Sequence, residues 1–160
     1  MTLPQQAAFH RAALLLGLTT GDAVIAWADS IIARDDEQPS ALLDLAMIPP
    51  HDLSELRHAL EPIATRVDSP DMLRALFDIA RRNLQNGERS SADTITVLSQ
   101  ARSFFKLPDD YSVAIQTLAN DHMLAVAGLR GEVADVEAGV AAWLAQFEGA
   151  EDSFLQNGTH

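Results

Sequence analysis

Three prolines constrain this chain more than any other feature. Pro39, Pro70 and Pro108 each head a run whose apolar residues recur at three- and four-residue spacing, with acids nearby and almost no alternating strand pattern between them. Proline is tolerated at a helix start, where its missing N–H would have had no partner, but it breaks a helix interior or a central strand. The pattern predicts an all-α protein of about seven or eight helices. The Pro-led starts lie 31 and 38 residues apart, near the length of a two-helix repeat. An irregular bundle and a short stacked-hairpin, solenoid-like array both fit that spacing.

Caps and stripes place the individual helices. The first spans about Pro4 to Leu16, entered at Thr2 or Leu3 and ended near Gly17. The second opens at Thr19-Thr20-Gly21-Asp22, where Thr19 and Asp22 have capping-box spacing. It carries Val24, Trp27, Ala28, Ile31 and Ile32 inward, with Trp27 as a core anchor. The third runs from Pro39 to about Met47, and Pro49-Pro50 ends it. Asp52 caps a fourth, with Leu53, Leu56, Leu60 and Ile63 facing inward until Pro62 breaks it. Ser69-Pro70-Asp71 starts the fifth, which buries Leu73, Leu76, Phe77, Ala80 and Leu84. The sixth begins at Ser90 or Ser91.

The seventh begins near Pro108. Its stripe of Tyr111, Ile115, Leu118, His122, Ala125 or Val126, and Leu129 keeps nearly a seven-residue period. The eighth, about Glu132 to Phe147, turns Val133, Val136, Val140, Trp143, Leu144 and Phe147 inward, and Glu132, Asp135, Glu137 and Glu148 outward. Residues 1–148 read as a single helical domain and 149–160 as a polar tail.

Charge narrows the partners. The net charge is −12 over 160 residues, and it is unevenly placed. Residues 21–61 carry −7, residues 62–106 carry +2, and residues 107–160 carry −8. Such a field repels nucleic-acid phosphates and anionic lipid and attracts a basic protein. The interface candidates are the acids of the second and eighth helices and the turn between them and the third: Asp29, Asp35, Asp36, Glu37, Glu132, Asp135 and Glu137. The chain has no cysteine, so disulfides, thiolate metal sites and a cysteine nucleophile are excluded. No apolar run approaches the ~20 residues that span a bilayer, and the expected location is the cytoplasm.

The motifs of familiar enzyme classes do not occur. There is no Gly-rich phosphate loop with Lys, no Gly-x-Ser-x-Gly and no His-Glu-x-x-His, so neither a catalytic residue nor a cofactor is assigned. One cluster has metal-ligand character. His51, Glu55 and His58 share a helical face, and Glu55-Leu56-Arg57-His58 matches the Glu-x-x-His of di-iron bundles. That chemistry needs a second such pair, which the chain lacks. The same face also reads as the solvated side of an amphipathic helix.

The segment Asp22-Ala23-Val24-Ile25-Ala26-Trp27-Ala28-Asp29-Ser30-Ile31-Ile32, with Asp36-Glu37-Gln38-Pro39 and Leu42-Leu43-Asp44-Leu45-Ala46, resembles small bacterial all-helical proteins of unknown function. Some of those are immunity-protein-like. The resemblance implies a non-enzymatic module that binds a protein, and it carries no catalytic residue over. An inhibitor masking a basic toxin surface would suit the charge distribution. A metal-binding bundle on His51, Glu55 and His58, and a structural homo-oligomer, are the alternative readings.

Overall fold

Capping residues decide where these helices begin. Thr2 accepts from the Gln5 N–H while the Gln5 side chain accepts from the Thr2 N–H, a reciprocal capping box. Ser90 accepts from the Asp93 N–H at 3.1 Å, and Asp52 from the Glu55 N–H at 3.2 Å. Pro70 takes the first position of its helix, while Pro39 and Pro108 sit one residue earlier, as caps. The second helix differs from expectation: Thr20, not Thr19, supplies the cap, accepting from the Ala23 N–H.

The computed structural model describes residues 2–34, 39–65 and 69–156. Within them the chain is all-α. The helices are α1 (Leu3–Leu15), α2 (Gly21–Ile32), α3 (Ser40–Ala46), α4 (Leu53–Leu60), α5 (Pro70–Gln85), α6 (Ser91–Phe104), α7 (Asp109–Val126), α8 (Val133–Leu144) and α9 (Ala150–Gln156), with a 3-10 turn over Ala145–Phe147. The segment read as a polar tail is thus helical through Gln156. No described helix is long and apolar enough to cross a membrane.

Contacts divide the chain into two units, Met1–Val67 with Leu155–His160, and Asp68–Phe154. In the first, α2 packs on α3, α3 on α4, and α4 returns against α1. Its core is aliphatic: Ala7, Leu14, Val24, Ala28, Leu42, Leu45, Leu56 and Leu60. One contact there is between backbones. A Cβ built on Gly21 would lie 1.7 Å from the Pro50 carbonyl oxygen, so only glycine lets the start of α2 approach the Pro49-Pro50 turn. Trp27 lies at the margin of this core and is half-buried. Its Nε1–H donates to Gln6 Oε1 at 2.8 Å, and its ring lies 4.4 Å from that of His10. Burial pushes the His10 imidazole down to about 4, because desolvation disfavours the charged form. Leu53, expected inward, is 41% exposed.

The second unit closes the same way, with α5 on α6, α6 on α7, α7 on α8, and α8 back against α5 and α6. In an open solenoid each repeat touches only its neighbours. Return of the fourth helix onto the first makes each unit a closed bundle. Here a cluster of four aromatic rings packs among buried leucines and valines. Phe77, Tyr111, Trp143 and Phe147 lie with ring centroids 5.1–6.2 Å apart, mostly edge to face. Arg74 closes it: the guanidinium stands 5.3 Å from the Phe147 ring and donates to Tyr111 Oη and the Gln146 carbonyl. Asp78, buried on α5, accepts from Arg81 Nε at 2.8 Å and from the Glu151 N–H at 3.1 Å. A carboxylate on another helix thereby caps the first turn of α9.

Candidate functional site

Helices α1 and α7 end in the same motif with opposite outcomes. After α7, the Leu129 N–H reaches the Leu124 carbonyl at 2.9 Å and the Gly128 N–H reaches that of Ala125 at 3.1 Å. Gly128 adopts φ +69°, the left-handed cap of a Schellman turn. After α1, Leu18 and Gly17 make the same two bonds, to Ala13 and Leu14. In this motif the residue after the glycine normally covers apolar surface. Leu18 does so and is 7% exposed, whereas Leu129 is 75% exposed.

Leu129 is not alone. Met123 is 62% and Val126 64% exposed, and their i, i+3 spacing makes them neighbours on the helix surface. Of the expected stripe's alternatives Ala125 and Val126, Ala125 is the buried one, and the placement of Leu129 inward is corrected. The stripe stays buried at Ile115 and Ala125. Leu129 lies past Val126, the last residue of α7, in the cap turn where the helical period no longer places side chains.

Acids gather in a cleft whose lining does not include these three side chains. Asp121, Glu132 and Asp135, with Arg130, line a cleft of about 250 Å³ between α7 and α8, floored by Leu118 and Val136. The eighth helix presents the expected faces except at Val133, expected inward, which is 36% exposed at the first position of the helix. Val136, Val140, Leu144 and Phe147 are buried, Trp143 is half-buried, and Glu132, Asp135, Glu137 and Glu148 are exposed. The structure thus brings Glu132 and Asp135 to one cleft with Asp121, and outside that cleft it adds Met123, Val126 and Leu129. The sequence reading did not select these last four. Gly128 as the helix terminator is the signal that would have taken Leu129 out of the stripe.

The other candidates lie elsewhere. Asp29 is exposed on α2, and Asp35, Asp36 and Glu37 lie outside the described residues. His51 is exposed in the turn before α4, Glu55 is exposed in its first turn, and Asp52 is engaged in capping. His58 Nδ1 lies 3.7 Å from Glu61 Oε2, with both side chains largely in solvent. Among the described residues no three His, Asp or Glu side chains converge closely enough to hold a metal ion. Comparison with known protein families, curated proteins and solved structures finds no match to this chain.

Proposed function

We propose that this protein is a non-enzymatic interaction module that binds a basic protein partner through the α7–α8 corner of its second unit. The observation that carries the reading is the uncovered apolar group Met123, Val126 and Leu129 at the end of α7. Exposed apolar side chains grouped together favour a protein partner, since their burial drives association. Asp121, Glu132 and Asp135 line a separate cleft on the same pair of helices and select a partner that also carries basic residues. A two-fold contact between copies of this corner would set the same acids against one another, which favours a different protein over a homo-oligomer. An immunity-like inhibitor of a basic toxin is one form of this reading.

The double variant Asp135→Lys, Glu137→Lys tests it. Both sites are exposed helical positions, so folding stability should change by no more than about half a kcal/mol. Association with the protein that co-purifies with the native chain should slow roughly tenfold or more at low salt, because the steering charge has been reversed. Undiminished association by the folded variant overturns the proposal for this face.

A further inference from the structure

Arginines are scarce in the first unit, and two of them meet. Its described residues include Arg11, Arg34 and Arg57. Arg34 is engaged locally, with Nε on the Ser30 carbonyl at 3.1 Å and Nη2 on Ser30 Oγ at 3.3 Å. Arg11 and Arg57 have no ion-pair partner among the described residues. They share a cleft of about 290 Å³ with Leu15, Ser54, His58 and Glu61.

Helix geometry builds the cleft. Ser54, Arg57, His58 and Glu61 follow at i, i+3, i+4 and i+7, one continuous face of α4 and its C-cap. Arg11 and Leu15 are i, i+4 on α1, which packs against α4. The Arg11 Nε is buried and makes no hydrogen bond. A buried donor without an acceptor is costly, and a guanidinium is built to engage two oxygens of one oxyanion side by side. Glu61, the one acid in the cleft, stands at its mouth beside His58. In a chain of net charge −12, two arginines in one cleft with a single acid form a local exception to the field.

We propose that this α1–α4 cleft binds a small oxyanion, held by Arg11 and Arg57 with the Ser54 hydroxyl as a further donor. Ligand pockets for drug-sized molecules begin at roughly 300 Å³, so the occupant is of the size of phosphate, sulfate or a short dicarboxylate. The site is independent of the α7–α8 corner and stands or falls apart from it.

Calorimetric titration of the full chain with inorganic phosphate, sulfate and succinate, each against chloride at matched ionic strength, tests the proposal. At least one oxyanion should bind saturably with one-to-one stoichiometry and raise the thermal midpoint in a concentration-dependent way. Preference for phosphate and sulfate would define a phosphoryl-type site, and preference for succinate a carboxylate site. Arg57→Gln and Arg11→Gln should each weaken binding tenfold or more, Arg57→Lys should weaken it less, and Arg34→Gln should leave it unchanged. Circular dichroism confirms folding, and the exposed mouth allows Ser54→Ala as a mild variant expected to lose a few-fold. Heats indistinguishable from chloride for all three anions, or undiminished binding by a folded Arg11→Gln, Arg57→Gln double variant, would overturn it.

Discussion

The first unit holds four helices together with aliphatic side chains and one backbone-to-backbone approach, at Gly21 and Pro50. The second uses a quartet of aromatic rings closed by Arg74, with Asp78 reaching to α9. Both return the fourth helix onto the first, so similar topology is reached with different chemistry. The two therefore fail in different ways: the first is sensitive to added volume at a crossing, the second to loss of large rings or polar anchors. Their helix ends differ too. The first unit covers the leucine after its Schellman glycine and the second leaves it bare, and that difference locates the candidate surface.

Each unit holds one of the two tryptophans, Trp27 and Trp143, so Trp27→Phe and Trp143→Phe backgrounds report on them separately. The largest effect is expected from Phe77→Ala. Phe77 is fully buried at the centre of the ring cluster, and emptying such a site costs about 3–5 kcal/mol. Denaturant unfolding followed by Trp143 checks it, and a loss below about 1 kcal/mol would show that the rings are not what holds the second unit.

Gly21→Ala comes next, at about 3 kcal/mol, the upper part of the overpacking range. The obstruction is a backbone carbonyl, which cannot turn aside like a side chain. Trp27 fluorescence during unfolding reads it, and a neutral result would mean that the Pro49-Pro50 turn yields freely.

The matched pair Leu18→Ser and Leu129→Ser tests the helix-end difference. Leu18→Ser should cost about 2 kcal/mol for a buried leucine, and Leu129→Ser no more than about half a kcal/mol. Equal costs would abolish the distinction on which the site rests.

A separate test is a pH dependence in the first unit. His10 titrates near 4 in the folded chain and near 6.5 when unfolded. Between those values the unfolded chain binds the extra proton, so stability is complete above about pH 6.5 and declines as pH falls toward 4. Denaturant midpoints followed by Trp27 should show this slope, and His10→Phe should flatten it. An unchanged slope in His10→Phe would assign the dependence to other groups.

Local signals were the legible ones. Cap residues and prolines act within one turn, so the starts of α4, α5 and α6 could be read from Asp52, Ser69-Pro70 and Ser90. The outward acids of α8 were legible for the same reason, since they alternate with a regular apolar stripe. What escaped depends on distant pairs. Nothing near Gly21 announces the Pro50 carbonyl, and Arg11 and Arg57 meet only because α1 packs on α4. Trp27 was read as an anchor from its place on a stripe, yet Gln6 and His10 hold it at the margin. Leu129 escapes the apolar stripe because α7 stops at Val126, so a helical period extended to 129 runs past the helix into its cap turn.

Contact of a partner with the bare apolar end of α7 is the decisive point. Site-specific photo-crosslinking in the native cells tests it most directly, with a photoreactive phenylalanine replacing Met123 and, as control, the exposed Gln100 of α6. One discrete adduct is expected from position 123, containing a basic protein, that is absent from position 100. The adduct should be lost when Asp135→Lys and Glu137→Lys are added. Equal labelling from both positions, or no adduct at 123 while a partner still co-purifies, would contradict it.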